Sequence, residues 1–172
     1  LIFYINLPLL SEELKFEAEN IETIDKDLII ANNNIIVSDS NGNKIYGNKL
    51  TIKDEKIYSI SENVIFRNID KSIELNTEKI IYNLDSSAIK TIGDTSIQIE
   101  NSFFFKTSNI SYDLISKEII SEHPSTINDL DSNKIEIKNF TLSLKENILK
   151  ANKANIIDKN LNQYELKKLF YD

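Results

Sequence analysis

The sequence predicts an all-β chain built from repeats of about 30 residues, with two strands in each. Two columns carry the period. Ala-Glu-Asn-Ile begins at 18, Gly-Asn-Lys-Leu at 47, Thr-Glu-Lys-Ile at 77, Thr-Ser-Asn-Ile at 107, Ile-Lys-Asn-Phe at 137 and Leu-Lys-Lys-Leu at 166, at spacings of 29, 30, 30, 30 and 29. Each block ends on a large apolar anchor: Ile21, Leu50, Ile80, Ile110, Phe140 and Leu169. A second column runs through Asn34-Ile35-Ile36, Asn63-Val64-Ile65, Asp94-Thr95-Ser96, Ser125-Thr126-Ile127 and Asn155-Ile156-Ile157, spaced 29, 31, 31 and 30. Columns that keep step in this way are the mark of a stack to which each repeat adds the same unit.

The first ten residues are almost wholly apolar and give way abruptly to Ser11-Glu12-Glu13. They read as the apolar region of a secretory signal with cleavage near Ser11, the basic start lying outside the given sequence; a hydrophobic first strand is the alternative. Residues 1–11 are therefore assigned to a partial signal and 12–172 to the repeat domain. Lys44 to Asn68 shows the unit most clearly. Ile45 to Ile52 alternates as a strand, Lys53-Asp54-Glu55 turns, and Ile57 to Phe66 returns with a break at Ser61-Glu62-Asn63. Other turn slots are Asp25-Lys26-Asp27, Asp39-Ser40-Asn41-Gly42, Asp85-Ser86-Ser87 and Asn128-Asp129. The tail from Leu161 to Tyr171 has some helical character, but Leu166 to Leu169 falls in register as a sixth repeat. That repeat stops in mid-unit at Asp172 without a cap, which reads either as a chain broken off from something longer or as an end built to be continued by a neighbour.

Length suits one domain, and 41% hydrophobic residues suffice for a core. There is no Cys, so a secreted chain of this kind is held by packing alone. The net charge of −7 argues against nucleic acid and against a polybasic membrane anchor. His123, the single His, precedes Pro124 in a turn, and no metal set, phosphate loop or nucleophile elbow is present. The expectation is a non-enzyme without cofactor or metal. A parallel β-helix carbohydrate enzyme and a lipid-free structural β-solenoid are the rivals; two strands per repeat fit the first expectation, three a β-helix.

Three apolar columns outline the interior. One is Phe16, Ile45, Leu75, Phe105, Ile135 and Tyr164; the second is the anchor column; the third is Leu28, Ile57, Ala88, Ile119 and Leu149. With one rung per repeat the stack would be about 25 Å long. The columns are either a closed core or the walls of an apolar trough between two incompletely closed sheets.

The motifs resemble the OstA-like repeats of the lipopolysaccharide transport family, in which an Ala-Asx-x-hydrophobic strand is followed by a turn and a Gly-Asn-Val strand. The matching residues are Phe16 to Asp25, Asn33 to Val37 and Glu62 to Phe66, with Tyr82 and Tyr112 near the family's Tyr slot. The family's glycine is Asn33 or Glu62 here, and Gly93-Asp94-Thr95 and Pro124-Ser125-Thr126 match poorly. The resemblance implies an incomplete β-jellyroll, V-shaped and open-ended, in the periplasm. Lipopolysaccharide acyl chains would lie against Ile21, Leu50, Ile80, Ile110 and Phe140, and against Leu28, Ile57, Ile119 and Leu149. Neighbouring jellyrolls would join by edge-strand addition. The unfinished sixth repeat favours the N-terminal domain of LptD, with an outer-membrane barrel in the same chain and its lipoprotein partner, over a stand-alone LptA-type bridge.

Overall fold

The computed structural model describes residues 14–25, 27–68, 73–100, 103–129 and 133–171. The signal assigned to residues 1–11 lies outside them. No helix occurs among the described residues, and every strand pairing in the register is antiparallel. β1 (Lys15–Glu17) and β2 (Asn20–Asp25) lead into five long strands: β3 (Leu28–Ser38), β4 (Asn43–Lys53), β5 (Ile57–Asn68), β6 (Ile73–Asn83) and β7 (Ala88–Ile99). Then come ten short ones: β8 (Phe103–Ser108), β9 (Ser111–Asp113), β10 (Glu118–Ser121), β11 (Ser125–Asp129), β12 (Lys134–Ile137), β13 (Phe140–Ser143), β14 (Ile148–Ala151), β15 (Ala154–Ile157), β16 (Gln163–Leu166) and β17 (Leu169–Tyr171). The tail is strand, as its register required.

Every long strand bends in the middle, and its pairing shifts register there: between Asn32 and Ile35, Tyr46 and Lys49, Ser61 and Val64, and Thr77 and Lys79. From β8 onward the same bend divides each strand in two. The halves sort into two layers that share the bend as an edge. One layer holds β2, β9, β10, β13, β14 and β17 with the halves of β3 to β7 nearest the turns at 54, 85 and 115. The other holds β1, β8, β11, β12, β15 and β16 with the remaining halves. The section is a V, with the bend as its apex and two rows of hairpin turns as its lips.

Each repeat is thus a hairpin of two bent strands, and both strands add a rung to each layer. A repeat lengthens the stack by roughly 10 Å and five repeats by on the order of 50 Å, about twice the length that one rung per repeat gives. The reason is the antiparallel pairing: a coil that adds one rung per turn needs parallel neighbours.

The first apolar column is one unbroken row of paired positions: Phe16, Val37, Ile45, Phe66, Leu75, Ile97, Phe105, Ile127, Ile135, Ile156 and Tyr164. The anchors line the other layer beside the bend, where Ile21, Ala31, Leu50, Ile60 and Ile80 are in register, as are Phe140, Ala151 and Leu169. The third column is not one row. Leu28, Ile57 and Ala88 pair with Lys53, Asn83 and Asp113 on a half-buried row at the lip. Ile119 and Leu149 belong to the next row, with Ile29, Ile52, Tyr58, Tyr82, Ile89 and Tyr112. A slip of one residue moves a strand side chain to the opposite face, and the 31-residue step from Ala88 to Ile119 makes that slip.

The bend explains the corner residues. In β3 and β5 three residues separate the inward positions flanking the corner, Ala31 from Ile35 and Ile60 from Val64, where a flat strand has one. The extra residues take left-handed backbone: Asn33 (φ 67°), Asn34 (φ 50°), Glu62 (φ 69°) and Asn63 (φ 57°). Asn tolerates that region; Glu does so at a cost. Gly47 answers a different demand, since a Cβ there would sit 2.5 Å from Ile60 Cγ2 and 3.3 Å from the Ser61 carbonyl oxygen. Two outcomes are expected in urea denaturation. Gly47→Ala overpacks the corner and lowers stability by about 1–3 kcal/mol. Glu62→Gly relieves the left-handed strain and raises it by about 0.5–1 kcal/mol.

Candidate functional site

The space inside the V is apolar and filled. Leu50 and Ile80 are 0% exposed, and Ile110, Phe140, Ile119 and Leu149 are buried with them. Leu28 and Ile57 are half-buried on the lip row, and Ile21 is 42% exposed on β2, the outermost strand at its end of the stack. The structure therefore brings Leu50, Ile80, Ile110, Phe140, Ile119 and Leu149 into one continuous interior and leaves Leu28 and Ile57 at its margin. Rings span the two layers: Phe66 meets Tyr112 edge-on at 5.9 Å, and Phe105 meets Phe140 at 5.5 Å.

The lips are closed over this interior by residues that the anchor columns leave out. Tyr58, Tyr82 and Tyr112 form a register row one step inside the turns of the first lip, and Leu114 and Leu144 fold in from those turns. From the second lip come Asn43, Asn68 and Ile73, all buried. Burial drives the Tyr112 phenol pKa up to about 12, although the Asn68 side chain beside it pulls the other way. Tyr58 is raised by burial and, secondarily, by the charge of Glu55. Tyr82 and Tyr112 stand 30 residues apart in the sequence, near the Tyr slot of the family pattern, but Tyr58 lies on the other strand of its hairpin and so escapes that column.

A second feature missed by the columns is a band of hydroxyls at the apex. Thr91 and Thr95 Oγ1 are 2.8 Å apart and Thr77 and Thr95 Oγ1 3.1 Å; Ser125 Oγ lies 2.7 Å and Ser121 Oγ 2.8 Å from Thr107 Oγ1. These replace the apolar residues of the outer repeats at the two places where the Gly-Asn-Val pattern fails. Their role is visible in the backbone. Where the bend breaks the strand, Ile110 N–H donates to Thr91 Oγ1 (2.9 Å) and His123 N–H to Ser121 Oγ (3.2 Å). Buried backbone donors need such partners. A groove of about 550 Å³ outside the apex reaches this band between Asn76, Lys106 and Pro124.

The two ends of the stack are different again. Among the described residues β1 and β2 pair only with β3, while β16 pairs only with β15 and β17 only with β14, so each end presents free strand edges. Apolar side chains are exposed there: Ile21 and Ile24 at one end, Leu161 and Tyr164 at the other. His123 is exposed with Asn109 Nδ2 at 3.4 Å from its Nε2, and no group of three or more His, Cys, Asp or Glu able to hold a metal occurs among the described residues.

Among solved structures the chain is similar to LptH of Pseudomonas aeruginosa, described as the LptA-homologous periplasmic component of the conserved lipopolysaccharide transport device. The TM-score is 0.55 at 15% identity, over 63% of this chain and 80% of LptH. The fold is a β-jellyroll of the LptA type. No family model and no curated protein matches the sequence.

The raised phenol pKa values make an alkaline prediction. The native jellyroll holds the Tyr112 and Tyr58 protons more tightly than the unfolded chain does. This stabilisation is complete below the ordinary phenol value of 10 and is lost as pH climbs toward 12. The urea midpoint is expected to fall across that window, and Tyr112→Phe to flatten the fall.

Proposed function

We propose that this jellyroll is a periplasmic carrier segment for lipopolysaccharide: it shelters acyl chains between its two layers and passes them along the stack toward the outer membrane. The observation that carries the reading is the unbroken apolar row of paired positions from Phe16 to Tyr164, facing the anchor row. At about 0.8 kcal/mol per buried CH₂, exposing a chain of a dozen methylenes to water costs on the order of 10 kcal/mol. Transit through an aqueous compartment therefore calls for shelter that is continuous rather than local. The likeness to LptH supports the same reading, because that protein is a periplasmic transport component.

The partners that follow are lipopolysaccharide and other jellyrolls, which join at the free edges of β1 and β2 or of β16 and β17 by strand addition. The assignment is a carrier and not a catalyst. Its finer form is the N-terminal domain of LptD, ahead of an outer-membrane barrel and its lipoprotein partner. The jellyroll is common to that protein and to an LptA-type bridge, so the size of the native chain in outer-membrane and periplasmic fractions decides between them. A second reading, a lipid-free structural β-solenoid, draws on the completeness of the core.

Photo-crosslinking to lipopolysaccharide separates the two. Probes replacing Leu50, Ile80, Ile110 and Phe140 in turn are expected to capture the lipid, while probes at the outward positions Lys53 and Glu146 do not. Equal capture at inward and outward positions, or none at all, sinks the carrier reading in favour of the solenoid.

A further inference from the structure

The corner is not built alike along the stack. In β3 to β6 the strands run through it unbroken, and their mutual register lapses over few residues: 33–34 and 48 between β3 and β4, 47–48 and 62–64 between β4 and β5, 62–63 and 78 between β5 and β6. From β8 onward each strand stops at the corner and another starts beyond it. The widest lapse among the described residues lies there. Lys106 pairs with Thr126 on one side and Ser111 with Ile120 on the other, and 107–110 and 121–125 between them hold no register with each other.

Buried hydroxyls span this gap in place of a ladder. Thr107 Oγ1 stands between Ser121 Oγ at 2.8 Å and Ser125 Oγ at 2.7 Å. Each serine has a second acceptor within reach: Ser121 Oγ the Ser108 carbonyl oxygen at 3.3 Å, Ser125 Oγ the His123 carbonyl oxygen at 2.9 Å. A hydroxyl has one proton and rotates to suit its surroundings, so either serine can leave Thr107 and stay bonded. A buried ladder bond has no such alternative, because breaking it strands an N–H and a C=O. There is also room for movement. A groove of about 550 Å³ lies outside Thr107, Ser108 and Pro124, and one of about 340 Å³ outside Ser121, Glu122 and Asn139. Pro124 has no N–H whose bond a rotation would break.

Rotation of one layer against the other is absorbed by the residues between the last register pair on one side of the corner and the first on the other. Hinges are such short segments, taking up the change in their backbone torsions. Where few residues lie there, as in β3 to β6, the ladders on both sides hold the angle. We propose that the V hinges where Thr107, Ser121 and Ser125 replace the ladder, and that it opens as a wedge, narrow over β3 to β6 and wide over β10 to β17. The inference rests on the carrier reading above and adds to it where along the stack the layers part. Leu114 and Leu144, which fold in from the lip turns at 115 and 146, then lift further than Tyr58.

Two pairs of spin labels read the two ends of the mouth. Ser40→Cys with Glu55→Cys spans it across β4, and Glu146→Cys with Asn160→Cys across β14 and β15; all four positions are exposed in lip turns. With purified lipopolysaccharide the second distance is expected to lengthen roughly twice as far as the first, or more. Equal changes, or a larger change at the first pair, overturn the hinge and leave the carrier standing. No change at either pair overturns both. A second measurement needs no lipid. Thr107→Val deletes the acceptor that the two serines share while each keeps its carbonyl, and is expected to broaden the distance distribution of the second pair alone. Broadening at both pairs alike, or at neither, overturns the hinge and says nothing against the carrier.

Discussion

Every strand of this protein has to turn the same corner without losing its place. Side chains alternate with a period of two, so an apolar residue that faces inward in one layer stays inward in the next only if the bend absorbs the right number of residues. Three residues do this at Asn32-Asn33-Asn34 and Ser61-Glu62-Asn63, and two at Asn48-Lys49, where Gly47 lets the Ile60 methyl close in. Both apolar walls and the closed lips depend on that arithmetic. The left-handed backbone at Asn33, Asn34, Glu62 and Asn63 is its local cost, and the hydroxyls of Thr91 and Ser121 stabilise the corners where the strand breaks.

Most of the architecture was legible because the corner recurs. The anchor blocks, the break at Ser61-Glu62-Asn63 and the turns at Asp39, Asp54 and Asp85 were all visible as residues whose only common explanation is a repeated bent hairpin. The rest was hidden for definite reasons. Strand direction leaves no mark on a period, and one rung per repeat gives only half the length of the antiparallel stack. The Leu28 column changed face because the step from Ala88 to Ile119 overshoots by one residue the position on Ala88's own row, Glu118. Tyr82 and Tyr112 keep the 30-residue step, but Tyr58 and the Asn43–Asn68 pair bring in the other strand of a hairpin, which that step does not reach.

The interior and the lips set opposite demands. A row of buried Ile, Leu and Phe stabilises a closed V, while a carrier must exchange those contacts for an acyl chain of similar chemistry. Such an exchange is nearly neutral in apolar burial, because hydrocarbon replaces side-chain contact rather than water. The barrier then lies at the lips, where Tyr58, Tyr82, Tyr112, Leu114 and Leu144 have to part from Asn43, Asn68 and Ile73. On the carrier reading proposed above, the closed and the carrying forms share a core and differ at its mouth.

The most direct test of that account is the width of the mouth. The chain has no Cys, so spin labels placed by Ser40→Cys and Glu55→Cys, both in exposed turns on opposite lips, report the distance between them without background. Pulsed electron resonance with and without purified lipopolysaccharide is expected to show the distance lengthening as lipid binds. A distance unchanged at saturating lipid would mean that the V stays shut and that its interior is a core and nothing more.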